Sequence, residues 1–253
     1  MSNNIQVIDR ALDILEILCV EQEGLGVTEI GKRLALHKST VHRIVSAMAE
    51  RGYVEKVPNR ALYRMGLKLV ELSSVYLNSV ELKTEAKPYL RELSSKYNLA
   101  AHIAILDGCD AVYIDKVDTV GDIRLYSQIG RRIPVHCSGL GKCLFSGLSD
   151  SEIEERLSGY NFTKFTSHTI IGIDEFKRQI KEIRLTGYAT DDEEHDDFIR
   201  CVAAPIFDYR DNLIAAVSVA GPSNIISKDK DDEIAGYVKE ISRKISERMG
   251  HKC

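Results

Sequence analysis

The chain has 253 residues, enough for two modest domains, and its 44% hydrophobic and 28% charged content is ordinary for a soluble globular protein. No run approaches the ~20 apolar residues of a membrane span. The opening MSNNIQVIDRALDIL lacks a basic segment followed by an apolar core, so the expectation is a cytoplasmic chain with no membrane partner. The net charge of −4 speaks against nucleic acid until its distribution is read. Residues 28–64 hold eight basic side chains against three acids, so this stretch carries +5 and the remainder −9. A compact basic module on an acidic body is the electrostatic pattern of a nucleic-acid reader joined to a domain with another task.

In chain order, Ile8, Leu12, Leu15 and Leu18 recur at helical spacing and predict a first amphipathic helix, broken by Gly24 and Gly26. Thr28 is placed to cap a short second helix over 28–34. After the turn Ala35-Leu36-His37, a third helix over 38–51 turns Val41, Ile44, Val45 and Met48 inward. It exposes Lys38, Ser39, Thr40, His42, Arg43 and Ser46, with Gly52 as its C-terminal cap. Two β-prone runs, 53–57 and 61–65, flank the turn Pro58-Asn59-Arg60. Three helices and a hairpin in about 65 residues predict a winged helix-turn-helix over 1–66. A linker helix over 67–80 follows, whose Leu69, Leu72 and Tyr76 are candidates for pairing with a second subunit.

The pattern changes from residue 81. A helix to about Tyr97 carries Leu82, Ala86, Leu90 and Leu93, with Pro88 kinking or starting it. Strands are predicted at 100–106, 111–117 and 123–127, helices at 139–147, 149–157 and 174–186, strands at 201–207 and 213–220, and a last helix at 228–249. This order predicts an α+β domain over 81–253 with helices on the faces of a sheet.

The exposed string Lys38-Ser39-Thr40-Val41-His42-Arg43 opens the third helix. Its hydroxyls can donate to phosphate and its Arg can reach a guanine edge bidentately. A solvated helix face looks similar, and what favours DNA contact is the three-helix-plus-wing order with the local positive charge. The candidate DNA-binding residues are Thr28, Lys38, Ser39, Thr40, His42, Arg43 and Arg60. Because one such helix reads only a few base pairs, a homodimer or dimer of dimers on double-stranded operator DNA is expected.

The segment TEIGKRLALHKSTVHRIVSAMAERGYVEK resembles the DNA-binding module of IclR-type bacterial regulators. The resemblance runs on. Residues 187–208, from Gly187 through Asp191, Glu194 and Cys201 to Asp208, fit that family's C-terminal signature at every specified position. It implies a GAF-like effector-binding domain, a function in transcription regulation, more often repression than activation, and a small carboxylate effector such as a sugar acid or keto acid. By the same resemblance Asp191 and Cys201 line the effector pocket, Gly139 and Leu140 supply backbone donors to the effector carboxylate, and Ser218 matches a further pocket position. Ala220 stands where some relatives carry a second serine, and Leu140 replaces a smaller residue, which leaves the effector's identity open.

Other readings attach to the same residues. Ser138-Gly139-Leu140-Gly141-Lys142 is not a phosphate-binding loop, since His136 falls where that motif needs its first glycine and Cys143 follows the lysine. The run Asp191-Asp192-Glu193-Glu194 alone reads as a solvated loop. The six cysteines (Cys19, Cys109, Cys137, Cys143, Cys201, Cys253) include no Cys-x-x-Cys pair and read as reduced, mostly small apolar residues. His136 beside Cys137, and Cys201 near His195, raise a thiol nucleophile or a zinc site, but neither has metal-ligand spacing. No catalytic residue, metal ligand or cofactor is therefore assigned. A metal-responsive variant through His136, Cys137 and Cys201, and a DNA-tethered enzyme, stay as alternatives.

Overall fold

The computed structural model describes residues 3–21, 23–79, 81–118 and 127–252, with side chains for all of these except 3–5, 74–79 and 81. The chain divides into two compact units, Met1–Ser79 and Val80–Cys253.

The first unit contains α1 (Asn3–Val20), β1 (Leu25–Gly26), α2 (Val27–Arg33), α3 (Lys38–Glu50), β2 (Val54–Lys56), β3 (Leu62–Met65) and α4 (Lys68–Ser79). The three short strands form an antiparallel sheet in the order β1-β3-β2. Its core is Ile14, Leu18, Leu25, Ile30, Val41, Ile44, Val45, Met48 and Val54. At the end of α3, Gly52 adopts φ +78°. Its N–H donates to Ala49 O and that of Tyr53 to Met48 O, the paired bonds that close a helix on a left-handed residue.

Two local expectations are corrected here. α1 buries only part of the predicted face: Leu18 is buried and Leu15 half-buried, whereas Ile8 and Leu12 are exposed and Ile14, outside the predicted set, is buried. The helix has apolar residues on two faces, and only its second half packs on α3 and β3, so burial rather than spacing decides the inward side. Thr28 does not cap α2. Gly26 holds that position with no side-chain cap, and Thr28 lies inside the first turn. Of the linker residues, Leu72 is exposed and Leu69 half-buried, while the Tyr76 side chain lies outside the described residues.

The second unit contains α5 (Glu81–Tyr97), β4 (Ala100–Asp107), β5 (Asp110–Val117), β6 (Arg132–Pro134), a 3-10 turn (Val135–Cys137), α6 (Gly139–Phe145), α7 (Asp150–Arg156), α8 (Ile173–Thr186), β7 (Ala189–Asp192), β8 (Ile199–Phe207), β9 (Leu213–Pro222) and α9 (Asp231–Arg248). This is the α+β class read from the sequence. The predicted strand at 123–127 falls, apart from Ser127, outside the described residues. β6 and β7 were not anticipated. β6 is three residues long and ends in a proline at the sheet edge, and the Asp191-Asp192 pair makes β7 read as a loop.

Six strands form one antiparallel sheet in the order β6-β5-β4-β9-β8-β7. Because successive side chains point to opposite faces, each central strand splits by parity. Ala101 and Ile103, Val202 and Ala204, and Val217 and Val219 join the core beneath α5 and α9. Ala104, Cys201, Ala203, Ala216 and Ala220 face α6 and α8. The second set is small, and small side chains let a helix approach the sheet closely and leave room at its end.

Candidate functional site

In the first unit, α3 presents its polar face. Lys38, Ser39, His42 and Arg43 are exposed, and Thr40 is half-buried. The helix start is set by His37, whose Nδ1 accepts from Ser39 N at 3.4 Å and lies 2.8 Å from Ser39 Oγ. Several neighbouring cations are already held by carboxylates: Arg33 by Glu21 and Glu29, Arg64 by Glu55, Lys68 by Glu71. Lys38 and Arg43 make no ion pair among the described residues, and Arg60 has only a loose, exposed one with Glu23 at 3.6 Å. The positive charge left uncompensated on α3 is what a phosphate backbone attracts.

In the second unit, the five sequence-selected residues Gly139, Leu140, Asp191, Cys201 and Ser218 line one cavity of about 140 Å³. Sheet register explains the convergence. Cys201 pairs with Asp191 on one side and Ala220 on the other, and Ser218 pairs with Ala203 and His102. α6 lies across this patch. A Cβ added to Gly139 would stand 3.3 Å from Ala203 Cβ and from Cys201 Sγ, and 3.5 Å from Asp191 N, so the glycine lets the helix start sit close on the sheet, and even alanine would require its neighbours to shift. Ser138 caps α6 by accepting from Gly141 N at 3.1 Å. The Gly139 and Leu140 amides, as first-turn donors, have no carbonyl to bond within the helix.

The cavity's polar groups are buried and only partly satisfied. Asp191 is 6% exposed, and burial, reinforced by the nearby Glu194 carboxylate, pushes its carboxyl up to about 7. Its Oδ1 accepts from Glu194 N at 2.8 Å. Burial pushes the Cys201 thiol up to about 12, so it is a neutral wall and not a thiolate. Ser218 is fully buried, and its hydroxyl lies beside that weakly polar thiol, with no nitrogen or oxygen partner among the described residues.

Behind the cavity lies a feature that sequence reading passed over. Lys142 is 0% exposed, and its Nζ donates to Glu194 Oε1 and Oε2 at 2.6 and 2.8 Å and to Gln179 Oε1 at 2.8 Å. All three ammonium protons are used. The signal was a single lysine in the otherwise small and apolar stretch GLGKCLF. His102, Tyr113 and Ser127, also in the cavity wall, were missed as well.

The alternative chemistry finds no support in the geometry of its residues. Both His136 nitrogens are engaged, Nδ1 with Tyr160 Oη at 2.8 Å and Nε2 with Thr163 O at 3.0 Å, and burial raises the Cys137 thiol. Among the described residues no three His, Cys, Asp or Glu side chains cluster to hold a metal, and no helix is long and apolar enough to cross a membrane.

Two family models match. Residues 7–58 match the IclR helix-turn-helix domain, and residues 74–247 match the bacterial transcriptional regulator IclR C-terminal domain. This chain belongs to the IclR family of bacterial transcriptional regulators. Among its relatives, XynR of Escherichia coli is 35% identical over 94% of both chains, and KdgR of Dickeya chrysanthemi is 36% identical over 96% of this chain and 79% of its own. The crystal structure of Thermotoga maritima IclR superposes with a TM-score of 0.81 at 27% identity, over 98% of this chain and all of the other. IclR proteins are regulators, not enzymes, so α3 belongs to a DNA-binding helix-turn-helix and the cavity to a regulatory domain.

Proposed function

We propose that this IclR-family regulator represses a catabolic operon as a homodimer or dimer of dimers, and that a small carboxylate in the second-unit cavity changes its hold on DNA. Lys38, Ser39, Thr40, His42 and Arg43 meet the operator from α3, Arg60 from the wing, and Thr28 from α2. In the cavity, the effector carboxylate sits against the amides of Gly139 and Leu140, and Ser218 donates to another of its oxygens. Asp191 accepts from a ligand hydroxyl or, protonated, faces a keto group. Cys201 is a small wall.

The observation that supports this reading best is the fully buried Ser218 hydroxyl without an oxygen or nitrogen partner. Leaving such a group unpaired costs about 1–3 kcal/mol, which a ligand oxygen would recover. Several relatives are named as repressors, among them the transcriptional repressor IclR of Escherichia coli at 29% identity. A thermal-shift screen of sugar acids and keto acids tests the proposal, because a ligand that binds only the native state raises its melting temperature. The hit should weaken binding to the chain's own upstream DNA in a gel-shift titration. A screen in which no carboxylate raises the melting temperature overturns it.

A further inference from the structure

The cavity continues past Ser218 to a wall that the carboxylate contacts leave unused. Ser218 on β9 stands opposite His102 on β4, and the His102 ring lies 5.2 Å, centre to centre, from the ring of Tyr113 on β5. Three neighbouring strands thus supply three polar side chains to one end of the cavity. All three are deeply buried, at 0% exposure for Ser218, 2% for His102 and 9% for Tyr113.

These groups are neutral and underused. His102 Nε2 lies 2.8 Å from Ser127 Oγ, and its other ring nitrogen makes no hydrogen bond among the described residues. The Tyr113 hydroxyl likewise has no hydrogen-bond partner among them. Burial, and then the Lys116 ammonium, hold His102 down to about 4, so the ring is uncharged at neutral pH. Burial likewise keeps the Tyr113 phenol protonated. Charge also lines the cavity, with Asp191, Asp196 and Arg131 near enough to act on the Tyr113 phenol. Arg132 lines it too and is bound to Asp107 and Asp110.

We propose that His102 and Tyr113, with Ser218 between them and the carboxylate end, form a neutral subsite that selects the effector by a hydroxyl or carbonyl oxygen remote from its carboxylate. A hydroxyl suits this wall because it both donates and accepts, so it pairs with either tautomer of His102 and with the phenol. A second carboxylate suits it less well than a hydroxyl, because an ion placed against these uncharged buried side chains loses hydration that their hydrogen bonds do not replace. A short acid that stops at the carboxylate end leaves the phenol and the second imidazole nitrogen without a partner among the described residues. Sites built to hydrogen-bond an oxygen discriminate strongly against ligands that lack it. The effector class that results is a hydroxylated monocarboxylate, ahead of a bare keto acid or a dicarboxylate.

This inference rests on the cavity being the effector site, and the experiment separates the two. Calorimetric titration of the full chain uses gluconate, pyruvate and succinate as probes, with wild type, Tyr113→Phe and His102→Phe. Tyr113→Phe removes one oxygen and keeps the ring, so it preserves packing even if His102→Phe disturbs the Ser127 contact. The expected result is that wild type prefers gluconate, and that Tyr113→Phe weakens gluconate about fivefold or more while changing pyruvate less than twofold. Equal effects on gluconate and pyruvate, or none on either, overturn the subsite and leave the carboxylate site standing. A wild type that prefers succinate or pyruvate also overturns it. Absence of binding to all three, together with a blank thermal-shift screen, removes both readings.

Discussion

The two units solve opposite problems with charge. On α3, Lys38 and Arg43 are exposed and have no ion-pair partner among the described residues, so their charge is free to meet phosphate. Around the cavity, charge is hidden: Lys142 is buried against Glu194, Asp191 is shifted toward its neutral form, and Cys201, His102 and Tyr113 are held uncharged. A surface that recognises a polyanion gains from uncompensated charge at long range. A pocket for a small ligand gains from neutral groups that are unsatisfied until the ligand arrives. Substitutions should therefore act on binding in the first unit and on stability and selectivity in the second.

The largest effect is expected at the buried ion pair. Lys142→Met strands the Glu194 carboxylate and should lower unfolding free energy by about 3–5 kcal/mol in chemical denaturation. Adding Glu194→Leu removes the stranded charge and should recover most of that loss. If Lys142→Met unfolds like wild type, the hidden charge in this unit is not structural and the contrast fails.

Next is Asp191. Its carboxyl is raised to about 7 in the folded chain, against an ordinary value of 3.8. Between about pH 4 and pH 7 the folded chain keeps a proton that the unfolded chain has lost. Stability therefore falls as pH rises through that window and stays reduced above it. A shift of this size corresponds to roughly 4 kcal/mol. Asp191→Asn should remove the decline, so that the variant is the more stable form at pH 8 and nearly equal to wild type at pH 4. The ligand sign follows the same logic. An anionic effector with no donor for Asp191 binds more weakly as pH rises through about 7, because the ionised carboxylate repels it. Equal stability of the two proteins at pH 8 would show that Asp191 stays ionised without penalty.

In the first unit, folding should be indifferent and DNA binding should not. Arg43→Ala is expected to weaken specific binding by roughly 1–3 kcal/mol and relax discrimination at one base position. Lys38→Ala and Arg60→Ala should each weaken binding to all sequences and reduce the salt slope by about one. Gel shifts at several salt concentrations, alongside thermal melts, separate the two behaviours. A lowered melting temperature in any of these three would place the residue in the fold rather than at the interface.

The same contrast decides which features are legible in the sequence. The α3 face was legible because exposure, periodicity and charge are all local: Val41, Ile44, Val45 and Met48 mark the inward side, and everything else on the helix follows. The α+β class was legible from the order of elements. The face of α1 was not, because apolar residues occupy two sides and tertiary packing chooses Ile14 over Ile8. The Thr28 cap failed because the capping position lies two residues earlier, on Gly26. Gly139, Leu140, Asp191, Cys201 and Ser218 were selected through resemblance, and the sheet register supplies the physical reason they share a cavity. His102 and Tyr113 were invisible to spacing. Position 102 meets position 218 only through the pairing of β4 with β9, and no local pattern encodes a partner more than a hundred residues away.

The smallest effect is expected at Cys201, and it tests whether the cavity wall is inert. The thiol is buried, and burial lifts it to about 12, so at pH 8 almost none of it is thiolate. A protonated thiol is a poor nucleophile and behaves as a small apolar group with a weak donor. Cys201→Ser keeps the shape nearly unchanged, which matters because even a Cβ added at Gly139 would stand only 3.3 Å from the sulfur. The new hydroxyl is more polar, but it lies beside Ser218, whose own hydroxyl lacks an oxygen or nitrogen partner and can pair with it. That pairing would compete with the ligand for Ser218. The net expectation is effector binding weakened by no more than about threefold, with the effector's influence on DNA preserved. Alkylation by iodoacetamide at pH 8 should proceed at exposed Cys19 well before Cys201. Rapid, effector-protected alkylation of Cys201, or complete loss of binding in Cys201→Ser, would make the sulfur a chemical participant and end the description of this wall as neutral.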